Sequence, residues 1–448
     1  MDLRLFKFAF NLFLTLKIEL RILEMKGFKG LFIFILLVGK VFAQSSANDT
    51  IKLNINEAEK IFFDKNLSIV AKQYDIDMAK AAVVQAKLIS NPTMYFEQLL
   101  FNPTNQKYLD ASYNGENAFN IQQLIHIAGQ RNKLIQFQKI NQQLAEYQFY
   151  DVLRTLKFQL HSSFYNIHFY LQSINVYNNQ LGNLHNLVSS LERQMEKGNI
   201  SRKEVVRIKA LIFNLQSERL DFINKINDEQ NNIKVFLGIK NDVFVFPVTD
   251  NKKNDAINTD QINLVQLIDT AYQNRSDMKI AESSVRLSQA DLKYQKSLAI
   301  PDLHLGYVYD KQGNFAREYN ALSLTMDLPV FNRNQGNIQL SKARLKQSET
   351  FKQQFTIQLE NDVQTTYKKV ILADSLYKTF DKEFTGDFEQ IMQSMLDNYR
   401  KRNISLIEFL DYYDTYKTSS LQFNQLSNNR LNAFEELNYT VGKSIIKF

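Results

Sequence analysis

Apolar and polar residues alternate with period two over residues 303–309 and again over 322–328. Leu303, Leu305, Tyr307 and Tyr309 fall on one side of the first run, against Asp302, His304 and Gly306. Leu322, Leu324, Met326 and Leu328 oppose Ser323, Thr325 and Asp327 in the second. This alternation predicts two strands, each with one apolar and one wet face. A hairpin alone is marginal in water. Placed between two very long helical patterns, this one suits two staves of a barrel in a membrane. A weaker pair precedes it. Residues 93–101 carry Met94 and Phe96 on one face. The return carries Phe119, Ile121 and Ile125, after a polar loop from Asn102-Pro103 to Asn114-Gly115.

Elsewhere the period is helical. Ala58, Ile61, Phe62, Ile69, Ala79, Ala82, Val83 and Ala86 predict one helix over 54–90, stopped by Asn91-Pro92. A second runs from 132 to 197, with Leu156, Leu160, Phe164, Ile167 and Leu171 at spacings of four and three. At ~1.5 Å per residue it makes a rod of ~90 Å, a length that implies coiled-coil packing. Lys197-Gly198-Asn199-Ile200-Ser201 breaks it, Ser201 and Glu204 have capping-box spacing, and a further helix reaches Gly238.

Residues 241–261, with Pro247, form a linker, and the unit then starts again. A helix over 263–298, the strand pair 301–328, a long helix over 336–400 striped by Phe351, Phe355, Leu359, Val363, Tyr367 and Val370, and a last helix follow in the same order. Lys401-Arg402-Asn403-Ile404-Ser405 repeats the first turn, and Val441-Gly442 repeats Leu237-Gly238. The chain therefore reads as two copies of one unit, 44–240 (strand pair 92–125) and 262–448. None of the five prolines interrupts a proposed long helix.

The first 43 residues carry an export signal. Met25-Lys26-Gly27-Phe28-Lys29 is a basic start, residues 31–38 are an apolar core, and Val41-Phe42-Ala43 is a small-residue end cleaved after Ala43. Residues 1–24 read as an upstream extension, with Met25 as the start. The apolar run falls short of the ~20 residues a spanning helix needs, and no later run reaches ~18, so any crossing falls to strands. Removing the seven basic and three acidic residues of 1–43 takes the net charge from +7 to +3. That balance argues against a nucleic-acid partner, which needs a concentrated basic face. The absence of cysteine excludes disulfides, thiolate metal sites, thiol catalysis and a lipidated N-terminal cysteine. No phosphate loop, His-Glu-x-x-His or Gly-x-Ser-x-Gly occurs, so neither an enzyme nor a cofactor is expected. His161 and His168 stand seven residues apart, too far to chelate one ion on a single helix, and no metal site is assigned.

Four strands cannot close a barrel, which takes at least about eight, and an open edge is not tolerated in a bilayer. Several copies must pool strands; three give twelve. At this point the chain resembles the TolC-like outer-membrane efflux proteins over nearly all of its mature length. The resemblance rests on Leu328-Pro329-Val330-Phe331-Asn332-Arg333-Asn334-Gln335-Gly336, the Asn-Pro and Ile-Pro strand starts, and the two Asn-Ile-Ser turns. The first of these is most similar to the heavy-metal branch, of cobalt–zinc–cadmium type.

The resemblance implies a mixed, mainly α fold. In it a homotrimeric twelve-stranded transmembrane β-barrel in outer-membrane lipid continues into a periplasmic α-helical barrel. It implies a passive exit duct docked to a periplasmic adaptor (membrane fusion) protein and an inner-membrane pump of the resistance–nodulation–division (RND) class. It marks Gly198, Asn199, Ile200, Ser201, Arg402, Asn403, Ile404 and Ser405 as adaptor-docking tips, and Tyr399, Glu408 and Asp411 as the pore entrance. Asp302 and His304, on the wet strand face, are candidates for the barrel lumen, and Tyr307 and Tyr309 for an interfacial aromatic belt. Two other readings stand beside it: the same duct serving multidrug efflux or type I protein secretion, and a soluble coiled-coil scaffold.

Overall fold

A computed structural model describes residues 49–240, 243–249, 257, 259, 262–379 and 382–446. The expected signal peptide, its start at Met25 and most of the 241–261 linker lie outside the described residues. The chain divides into two units, residues 1–51 with 240–244 and residues 52–239 with 245–448. Of the first, the described residues are mainly the ends of two short strands, β1 (Asp49–Leu53) and β6 (Val243–Pro247), which pair with each other.

The second unit holds everything that follows. α1 (Ile55–Lys65) and α2 (Leu67–Lys87) replace the single helix expected over 54–90. The apolar stripe crosses the break at Asn66, so periodicity alone does not reveal it. Asn66 leaves the helix, its side chain caps Ser68 N and Ile69 N, and its amide donates to Phe236 O at 3.0 Å. The second half breaks in the same place, between α5 (Leu264–Asn274) and α6 (Ser276–Ser297), at Arg275. α3 (Gln130–Glu196) is unbroken for 67 residues, about 100 Å. α4 (Arg202–Leu237) returns from it. The expected second long helix is described as α7 (Gln335–Thr379) and α8 (Lys382–Arg400), followed by α9 (Leu406–Val441).

The four principal strands form one sheet. Its order is β2 (Thr93–Gln98), β5 (Asn117–Ile125), β7 (Leu303–Asp310), β8 (Tyr319–Met326), antiparallel throughout. The run expected over 93–101 ends at Gln98. Phe101–Asn102 and Lys107–Tyr108 instead form a separate small hairpin, β3–β4, within the loop expected to be irregular. Register aligns Met94 with Ile121, Ile121 with Tyr307, and Tyr307 with Leu322, so one face of the sheet is apolar across all four strands. That face is uncovered: Leu322 is 81% and Leu324 66% exposed. Gln122, Gly306 and Ser323 align on the other face.

Helices pack in the same order as the strands: α2 on α3, α3 on α6, α6 on α7. Each strand thus continues into the helix of its own column. The core lies in the helices. Leu160, Phe164, Ile167, Leu359, Val363 and Val370 are fully buried, as the stripes of α3 and α7 predict, and Phe434 of α9 is buried with them. Phe351, expected on that stripe, is exposed on another side of α7.

Candidate functional site

The two turns that join α3 to α4 and α8 to α9 are built alike. Gly198 and Arg402 both lie in the left-handed region, at φ 75° and 62°. Asn199 N then reaches Gln194 O at 2.9 Å, and Asn403 N reaches Asn398 O at 2.9 Å. Both turns thus stop their helices with the same six-to-one hydrogen bond. Arginine is a strained choice there. Its guanidinium donates to the Asn199 carbonyl, which ties the second turn to the first.

Ile200 and Ile404 point back into the helices, half-buried against a cluster that includes Leu191, Val205, Leu396 and Phe409. Gly198, Asn199, Ser201, Arg402, Asn403 and Ser405 are the exposed members of the tips. The Ser201–Glu204 capping box does not form: the Ser201 hydroxyl meets the Glu204 carboxylate at 3.2 Å, not a backbone N–H. The other oxygen of Glu204 accepts from the Tyr399 hydroxyl at 3.4 Å.

Tyr399 is only 6% exposed and stacks on Phe409, with ring centroids 4.9 Å apart. Burial, with Glu204 beside it, pushes its hydroxyl up to about 12. Within one chain it therefore joins the two helical hairpins rather than lining open space. Glu408 completes a true capping box with Ser405: it accepts from Ser405 N at 2.8 Å, and its own N–H donates to the Ser405 hydroxyl at 3.2 Å. The Ser405 backbone and hydroxyl hold its carboxyl below the usual range. Asp411 is exposed and has no partner among the described residues. Of the three residues expected at the pore entrance, Tyr399 is buried, whereas Glu408 and Asp411 are both exposed.

At the base of the sheet, Asp302 accepts from Gln130 Nε2 at 2.8 Å and meets His126 Nδ1 at 2.9 Å. Gln130 is the buried first residue of α3, so Asp302 fastens β7 to the β5–α3 junction. His304 sits on the wet face of the sheet, opposite Leu124 and Thr325. His126 was missed in the sequence because it lies just past the alternation. Tyr307 donates to Asn320 across the β7–β8 pair.

His161 and His168 do not converge. His161 Nδ1 meets Glu435 Oε1 at 2.7 Å and its Nε2 meets Glu59 Oε1 at 2.6 Å. Burial alone would lower its pKa, but the two carboxylates outweigh it and hold the imidazole up to about 9. Lys157 adds a second cation on Glu59 at 3.0 Å. His168 contacts Thr249 and Gln172, and burial lowers its pKa. Among the described residues no cluster of acids and histidines is arranged to hold a metal ion, and no helix is long and apolar enough to cross a membrane.

A sheet with a bare apolar face, set above long helices in the same lateral order, is the fold of outer-membrane channels. A membrane protein from Pseudomonas aeruginosa superposes with a TM-score of 0.71 at 13% identity, over 88% of this chain and 92% of the other. The Campylobacter jejuni CmeC outer membrane channel gives 0.72 at 11%, over 88% and 87%. The Neisseria gonorrhoeae MtrE outer membrane channel, in its open state, gives 0.67 at 10%, over 87% and 89%. No curated protein matches in sequence. Residues 267–443 match the family described as outer membrane efflux protein. The matched family and the neighbouring folds are channels, not enzymes.

Proposed function

We propose that this chain is the outer-membrane duct of a tripartite efflux system, a passive exit from periplasm to outside built from three copies. The observation that carries this is the coincidence of edges. β2 and β8 end the sheet, and α2 and α7, the helices joined to them, end the helical row. Both layers are open at the same two sides, and both can close by the same head-to-tail contact of β8 and α7 with β2 and α2 of the next copy. Such a contact gives a ring, and three copies give twelve strands and a water-filled centre. The edge helices carry second apolar stripes that support it: Leu67, Tyr74 and Met78 on α2, and Leu340, Phe351, Leu372 and Leu376 on α7, all exposed.

The tips then face a periplasmic adaptor, and through it an inner-membrane RND-type pump. Asp411, repeated three times near the tip, places negative charge at the mouth and favours cations. This supports a heavy-metal or other cation cargo, with multidrug efflux or type I secretion as the second reading. Deleting the gene and measuring growth against zinc, cobalt, cadmium, antibiotics and bile salts tests the cargo. Sensitivity confined to the metals is expected; sensitivity confined to drugs overturns the metal reading and leaves the duct.

A further inference from the structure

Four strand–helix junctions lie at one end of the sheet, and each presents apolar side chains to solvent. Leu88 and Ile89 precede β2, Ile127 follows β5, Leu298 and Ile300 precede β7, and Leu328, Val330 and Phe331 follow β8. On β8 the exposed series Leu322, Leu324, Met326 is followed, past the end of the strand, by exposed Leu328, and a tight turn in which Val330 N donates to Leu328 O at 2.9 Å carries exposed Val330 and Phe331. Phe331 is 91% exposed, an unusual position for so large an apolar side chain. With Leu298, Ile300, Leu328, Asp302 and His304 it lines a cleft of about 650 Å³.

Cations lie directly behind this collar, on the helical side. Lys87, Lys293, Lys296 and Arg333 are exposed, and none has a side-chain partner among the described residues. Three acids lie near them, of which Asp291 accepts from Ser341 Oγ at 2.6 Å and Gln295 Nε2 at 3.2 Å. Asp302 is engaged by Gln130 and His126, and Asp327 is exposed. An apolar band backed by unpaired cations matches a phospholipid leaflet, with acyl chains against the band and phosphates against the cations.

We propose that this collar is a lipid-binding girdle: Leu328–Val330–Phe331 inserts among acyl chains at the periplasmic leaflet, and Lys87, Lys293, Lys296 and Arg333 hold anionic headgroups. The girdle rests on the membrane reading of the sheet given above. It supplies an interfacial anchor at the helical end of the sheet.

The absence of tryptophan makes the test clean, since any introduced indole is the only one. Full-length F331W and, separately, L322W are reconstituted into vesicles of phosphatidylcholine with phosphatidylglycerol, one or the other brominated. Both substitutions exchange exposed apolar side chains and leave the core untouched. L322W reports on the sheet in the bilayer; F331W reports on the collar. Expected are quenching of both, and at residue 331 a preference for brominated phosphatidylglycerol of about fivefold. That preference should disappear when Lys87, Lys293, Lys296 and Arg333 are all changed to Gln. Quenching of L322W without F331W overturns the girdle and leaves the membrane reading standing. Failure of both overturns both. Blue-shifted F331W emission untouched by bromine seats the residue against protein, in the cleft or a neighbouring copy, and also overturns the girdle. Quenching at 331 without headgroup preference overturns the role of the cations.

Discussion

His161 shows how one side chain can fix three helices. It lies on α3 and takes carboxylates from α1 and α9, at 2.6 and 2.7 Å. Its pKa is raised from an ordinary 6.5 to about 9. A raised folded-state value means the charged imidazole is favoured by folding. Its contribution is complete below about pH 6.5, shrinks as pH rises, and is gone above about pH 9. The shift corresponds to roughly 3 kcal/mol. H161Q imitates a neutral histidine. At pH 6 the variant should be less stable by about that amount, and the gap should close above pH 9. Helix melting in detergent, measured for both proteins from pH 6 to 10, checks this; a constant gap would place the effect in packing instead. None of it is legible in the sequence, because the two carboxylates stand 102 and 274 residues away. The same limit applies to Tyr399. Its position suggests an aperture, and only the fold shows Phe409 and Glu204 engaging it.

Elements were more legible than sites. The stripes of α3 and α7 foretold the buried Leu160, Phe164, Ile167, Leu359, Val363 and Val370, and period two foretold the hairpins, because both signals are local. The missed features are breaks made without proline or glycine, at Asn66 and Arg275, and a capping box whose glutamate is engaged from another hairpin. Glycine at a helix end was more telling. Gly238 ends α4 at φ 64°, and a Cβ there would stand 2.9 Å from Lys65 O at the end of α1. Gly442 ends α9 at φ 73°, and its Cβ would stand 3.0 Å from Arg275 N. Each glycine seats a long helix on the break of a short one. Gly182, in the middle of α3, has nothing within 4 Å of a Cβ. G238A should therefore cost at least about 1–2 kcal/mol from the left-handed backbone alone. G182A should gain about 0.5–1 kcal/mol. Melting temperatures moving in opposite directions would confirm the distinction; equal losses would mean that Gly182 serves a contact beyond one chain.

At the scale of the whole molecule, the edges decide what the protein is. Leu340, Phe351, Leu372 and Leu376 share one side of α7, about a third of a turn from the buried side of Leu359, Val363 and Val370. Tyr74 and Met78 on α2 lie about half a turn from Ile76 and Val83. A helix that needed to bury only one face would carry polar residues at these positions. Covering such side chains is worth about 1.5–3 kcal/mol each, enough for a shared wall of several per copy to hold the proposed ring together. Replacing Phe351 and Leu372 with Asp removes two and puts charges in their place. Both lie outside the core of a single chain, so helical content should persist while the proposed three-copy assembly, solubilised in detergent, falls to one copy. Light scattering coupled to size exclusion reads the mass directly. Loss of helix together with mass would mean that these residues serve the chain's own fold, and a native protein already present as one copy would leave both open edges without a partner and the duct without a wall.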